Sequence, residues 1–111
     1  MFIRGAVRPW PEEPGQTACY SKDMTTRAES NVLSAHHLRI EPGGEFRPHS
    51  HEVETELHFV ISGSGIALDG DRWEQVVAGD VVLDPPGFAH GFRNTSSEPL
   101  FILCIFTPPL Y

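Results

Sequence analysis

Residues 43–63 read GGEFRPHSHEVETELHFVISG, and residues 79–94 read GDVVLDPPGFAHGFRN. Both stretches are short alternating or apolar runs closed by Gly and Pro. This is the pattern of β-strands ending in turns, since glycine takes up positive φ and proline cannot extend a ladder. His49 and His51 are separated by one residue on such a strand, where a period of two points both side chains to one face. Glu56 opens the next strand segment, TELHFVIS, so its carboxylate can approach the same space once the chain bends between Glu52 and Thr55. His90 arrives from a distant strand. Three neutral imidazole nitrogens and one carboxylate oxygen make a borderline-hard donor set that suits one divalent Fe, Mn, Ni, Co, Cu or Zn ion. In a tetrahedron these four would close a zinc site, whereas an octahedral centre leaves two positions for substrate, water or O₂.

Outward from these stretches the punctuation continues. NVLSAHHLRIE (31–41) alternates up to Pro42-Gly43-Gly44, and IALDG (66–70), RWEQVVAG (72–79) and PLFILCIFTPP (99–109) each end in turn residues. Turn signals recur roughly every 8–12 residues, the spacing of an antiparallel sandwich or barrel. No helical segment separates the strands, which excludes a parallel α/β sheet. The ten glycines and ten prolines also argue against a helical bundle. A chain of 111 residues is read as a single domain over 1–111, with an N-terminal strand and arm at 1–30 and a barrel core at 31–107. Residues 9–16, PWPEEPGQ, read as an extended arm leading from a short first strand and suited to packing on a partner subunit. Residues 17–30 read only weakly, as a short strand and a turn.

Fifteen acidic residues against eight basic give a formal charge of −7, which disfavours a nucleic-acid backbone or an anionic membrane surface as partner. A small molecule is the expected ligand. No apolar run approaches the roughly 18 residues of a membrane span. The opening MFIRGAVRPWPEEPG is broken by Arg4, Arg8 and three prolines before a signal-peptide core could form, so a cytoplasmic location is expected. Cys19 and Cys104 lie in no CxxC pair and are read as packed thiols.

The scaffold around the candidate ligands has fixed spacing. Gly43 is followed after five residues by His49, Ser50 and His51, after four more by Glu56, and after six more by Gly63; Gly79 is followed after five by Pro85-Pro86-Gly87, after two by His90, and after three by Asn94. At these positions the chain resembles the cupin superfamily, both of whose motifs are matched. The resemblance covers residues 43–94, and the flanking strands fit the same fold. It implies an all-β double-stranded β-helix, or jelly-roll barrel, with the metal held by His49, His51, Glu56 and His90 inside one end. Proteins of this family include dioxygenases, decarboxylases, isomerases and lyases.

Other residues are assigned from parity. His58 shares the phase of Glu56 and is the candidate catalytic side chain, tuning the metal site or shuttling a proton; its other reading is a core residue with one hydrogen bond. Arg47 shares the phase of His49 and His51, which makes it a candidate anchor for an anionic substrate, with a solvated surface position as the rival. Phe88 and Phe92 flank His90 and are assigned as the apolar wall of the substrate site. His36 is a candidate to reach the cavity if Leu38 and Ile40 face inward, and Asn94 is read as a turn cap. LFILCIF is too apolar for a face open to water, which leads to the expectation of a homodimer of barrels packed back to back, the arm crossing over. The leading functional expectation is a metal-dependent enzyme acting on a small organic substrate, an anionic one if Arg47 anchors it. Its alternative is a binding or sensing module in which the metal only organises the pocket.

Overall fold

The computed structural model describes all 111 residues, Met1–Tyr111. Eight strands follow in chain order: β1 (Thr17–Thr25), β2 (Ser34–His49), β3 (Thr55–Ser62), β4 (Ser64–Asp69), β5 (Arg72–Val77), β6 (Val81–Asp84), β7 (His90–Arg93) and β8 (Leu100–Thr107). The remaining regular element is a 3₁₀ turn at Gly5–Val7. The strands form one curled antiparallel sheet in the order β5-β4-β7-β2-β8-β3-β6, with β1 paired to β2 outside that path. This is the all-β jelly-roll barrel that the family resemblance implies, one of the antiparallel architectures that fit the turn spacing.

One strand end differs from the sequence reading. Pro42-Gly43-Gly44 does not end a strand but turns a corner inside β2, which pairs with β8 over Ser34–Ile40 and then with β7 from Glu45 to His49. Proline has no amide for the ladder, and the corner is held from the side: Gly43 N–H donates to the Asn94 carbonyl, and Asn94 N–H to the Gly44 carbonyl, both at 3.0 Å. The weakly read stretch 17–30 does open with a strand, β1, which pairs with β2 along its length.

No strand precedes the arm, and the arm lies on its own barrel. Trp10 packs against His37 and Phe101, with ring centroids 4.8 and 6.1 Å apart, while Glu13 N–H donates to the Cys19 carbonyl at 2.8 Å. Lys22 and Arg39 stack their cationic ends over the same indole. A cation over a desolvated ring gains enough to hold a proline-rich segment that has few backbone bonds of its own. The arm therefore covers part of the outer face of β2 and β8 without a second chain.

Ten buried residues form the core, among them Leu38, Ile40, Val60, Phe92, Leu100 and Ile102, contributed by strands on both sides of the curl. Cys19 and Cys104 are buried free thiols, as expected. Burial, aided by the charge of Glu13, pushes the Cys19 thiol up to about 12. The β3–β4 connection is tight: Gly63 has φ +87°, and a Cβ there would meet the Pro99 carbonyl oxygen at 2.4 Å. Gly79 has φ +95° with nothing within 4 Å. Gly79→Ala is expected to cost about 1–2 kcal/mol for the backbone alone, and Gly63→Ala clearly more, since a carbonyl must also move. Thermal unfolding of the two variants checks this order, and equal losses would contradict it.

Candidate metal centre

The centre is assembled by four parts of the barrel. His49 ends β2 opposite His90 at the start of β7, Glu56 begins β3, and His51 sits in the β2–β3 connection. The donor atoms of His49, His51, Glu56 and His90 all lie within 4.8 Å of one another. His90 Nε2 and His51 Nε2 approach the same oxygen, Glu56 Oε1, at 2.8 and 3.4 Å.

Hydrogen bonding fixes which nitrogens face inward. His49 Nδ1 lies 2.9 Å from the Arg47 carbonyl and His90 Nδ1 lies 3.2 Å from the Phe88 carbonyl. A carbonyl only accepts, so both Nδ1 atoms carry hydrogen, and Nε2 is the atom each ring can offer to an ion. Ligating histidines are oriented in this way, the remote N–H tied to backbone oxygen. His51 Nε2, His90 Nε2 and Glu56 Oε1 are buried and lack a hydrogen-bond partner. Unpartnered buried polar atoms are costly, and three aimed at one point are what a divalent cation satisfies. The residues present therefore fit a metal ion.

The charge distribution agrees. Burial alone would raise the pKa of Glu56, yet His51, His58 and His90 around it hold the carboxyl well below the usual range. His58 lies 2.9 Å from Glu56 Oε2 and, through Nδ1, 3.2 Å from Asp84 Oδ2. Burial opposes its charge, but the two carboxylates outweigh burial and push it up to about 9. Burial lowers His49, and pushes His36 down to about 4, so His36 is a neutral imidazole.

A cavity of about 10 Å³ adjoins the centre, lined by His36, Phe46, His58, Phe92, Cys104 and the ligand side chains among others. Such a volume accepts one water-sized body. Phe92 lies on its wall, with its ring edge-on to His58 at 5.0 Å. Arg47 does not. β2 carries an irregularity between Phe46 and His49, where three residues oppose the two-residue step from Phe92 to His90, so the inward phase passes from Phe46 to His49 and leaves Arg47 exposed. Phe88 is also placed differently: it precedes β7 in the Pro85–Ala89 turn, outside any strand phase, and is 49% exposed. Asn94 caps its turn as read, accepting from Ser96 N–H at 3.0 Å and donating to the Ile40 and Glu98 carbonyls.

Asp84 was not singled out by sequence reasoning. It is 1% exposed at the end of β6, directly across from Glu56 on β3. The available signal was an acid in phase with the inward Val82 of an otherwise apolar strand. Tyr111 was also missed; its hydroxyl hydrogen-bonds His36 Nδ1, behind the cavity.

The family model for the cupin domain matches residues 36–106. The chain belongs to the cupin family. Among characterised and uncharacterised relatives of this cupin, an oxalate-binding protein of Thermotoga maritima is 29% identical over 68 residues, covering 61% of this chain and 56% of that protein. An uncharacterized Streptomyces coelicolor protein is 40% identical over 63 residues, covering 57% and 56%. The cupin thus spans a little over half the length of these two relatives. The crystal structure of a Thermotoga maritima protein described as a predicted oxalate decarboxylase superposes with a TM-score of 0.90 at 22% identity, covering 97% of this chain and 99% of that one. That likeness establishes the shared fold.

Removing one donor should empty the centre. Loss of a residue that merely orients a ligand typically weakens metal binding 10–100-fold, so His51→Ala and His90→Ala are each expected to weaken it by more than about 100-fold while the far-ultraviolet dichroism stays unchanged. Elemental analysis after equilibrium dialysis checks this. Full occupancy in either variant would contradict the ligand assignment.

Proposed function

We propose that this cupin holds one divalent transition metal on His49, His51, Glu56 and His90 and acts there on a small organic carboxylate. The observation that carries the reading is the set of three buried, unpartnered donor atoms turned toward one point. A cation bound there supplies Lewis acidity toward an oxygen ligand. The chain's own groups then define what can enter. Glu56, His58 and His90 are almost fully buried, whereas the His51 side chain is 16% exposed, so a substrate reaches the centre from the His51 side. The adjoining cavity is too small for an organic molecule, which restricts a bound molecule to one that ligates with a terminal group. Phe92 keeps the inner wall apolar, and His58, engaged on both sides by carboxylates, serves to hold Glu56.

Support for a carboxylate comes from the relative named as an oxalate-binding protein. Turnover in the manner of a decarboxylase or dioxygenase is the proposed outcome of binding. A pure binding module is the second reading, favoured by the absence of an uncommitted acid or base at the cavity: His36 is tied to Tyr111 and His58 to its carboxylates. Calorimetry of the manganese-loaded protein with oxalate is expected to show binding that the metal-free protein lacks, and product analysis of the same mixture separates turnover from binding. Equal affinity of loaded and metal-free protein would contradict the reading.

A homodimer belongs to the same proposal. On the outer face, Leu57 and Phe59 of β3 stand beside Leu83 and Val81 of β6 and beside Ile105 and Leu103 of β8. Val81 and Leu83 are more than half exposed, and together these side chains make a patch larger than scattered surface apolar residues explain. Light scattering at micromolar protein is expected to give twice the chain mass, and Leu83→Glu to halve it. A wild-type monomer would contradict the dimer.

A further inference from the structure

Asp84 presents a physical problem that a metal centre of four ligands does not explain. It is a buried carboxylate beneath the site, and neither of its oxygens accepts a well-aligned hydrogen bond. Its nearest donors are His58 Nδ1 at 3.2 Å and His90 Nδ1 at 3.7 Å, the latter already directed to the Phe88 carbonyl. Burying a charge so incompletely satisfied works against stability, so an apolar residue on β6 would pack at lower cost. The charge acts on His58 instead. His58 is itself 2% exposed, lies between Asp84 and Glu56, and reaches Glu56 through Oε2, the oxygen that faces away from His51 and His90. Oε1 is left as the oxygen pointed at the two ligand nitrogens.

We propose that Asp84 is a positioning residue: acting through His58, it immobilises Oε2 of Glu56, so that Glu56 offers the metal a single oxygen, Oε1. The inference rests on the metal reading above and extends it to two residues that donate nothing to the ion. Its physical basis is geometric. The register Glu56↔Asp84 puts the two carboxylates on adjacent strands, and His58, two residues along β3 on the same inward face, fits between them. A carboxylate with both oxygens free can rotate and chelate through both; one with an oxygen held by a buried imidazole cannot. A fixed single-oxygen ligand leaves the ion one more place for an incoming carboxylate than a chelating one does.

The test uses the full chain loaded with Co(II), whose absorption spectrum reports its ligand number. Asp84→Leu keeps the branched outline of the side chain, at a larger volume, and removes the carboxylate; His58→Gln removes the intermediary and serves as well if the first variant does not fold. Asp84→Asn retains an oxygen able to accept from His58 Nδ1. In Asp84→Leu and His58→Gln the Co(II) affinity is expected to fall roughly 10–100-fold and the spectrum to change, with Asp84→Asn restoring most of both. A merely structural Asp84 would lower the melting temperature and leave affinity and spectrum unmoved, and that result overturns the proposal. Wild-type protein that binds no Co(II) overturns the metal reading and this inference together. Wild-type binding with folded Asp84→Leu and His58→Gln unchanged overturns this inference alone.

Discussion

A single buried carboxylate governs this end of the barrel. Glu56 is 3% exposed and has His51, His58 and His90 within 3.4 Å of its oxygens. An isolated charge at such depth would be neutralised by protonation, and it stays ionised because imidazoles surround it. The surroundings divide by function. On one side His51 and His90 turn their Nε2 atoms to Oε1; on the other His58 holds Oε2 and lies 3.2 Å from Asp84. The strands that deliver these groups are β3 with its neighbour β6, and β2 with its neighbour β7. The curl of the sheet is therefore what lets four chain segments meet at one carboxylate.

Much of this was legible in the sequence, for identifiable reasons. Period-two alternation and regularly placed turn residues carry the strand pattern, because both follow from local backbone sterics. The clustering of His49, His51, Glu56 and His90 was legible because His49, Ser50 and His51 lie beside the Glu56 strand and the second motif places His90. What failed was phase carried across an irregularity. Counting back by two from His49 puts Arg47 inward, but the extra residue between Phe46 and His49 reverses the phase; Pro48, which has no amide for the ladder, was the one local sign of the irregularity. Phe88 failed similarly, since a parity argument applied in a turn has no strand to act on. Asp84 stayed hidden because its meaning depends on the register of β6 against β3, a nonlocal fact.

The arm gives a related lesson. Its prolines predict an extended segment, and composition could not say what it lies against. The answer is an indole stacked under Lys22 and Arg39 on the chain's own barrel. That placement leaves the apolar patch around Leu83 uncovered, and it separates two surfaces that the sequence reading had treated as one. Fold and family are likewise distinct from function: the same barrel hosts many chemistries, so the argument for this chain rests on the orientation of its own donor atoms.

The central claim is that His49, His51, Glu56 and His90 converge on one metal ion. Crystals grown with Mn(II) or Zn(II) and measured at the metal absorption edge test it directly. The account predicts one anomalous peak per chain, about 2.0–2.2 Å from the Nε2 atoms of the three histidines and from Oε1 of Glu56, with Oε2 still on His58. A map with no peak at this position, or with the ion bound elsewhere while these four side chains keep their present arrangement, would contradict it.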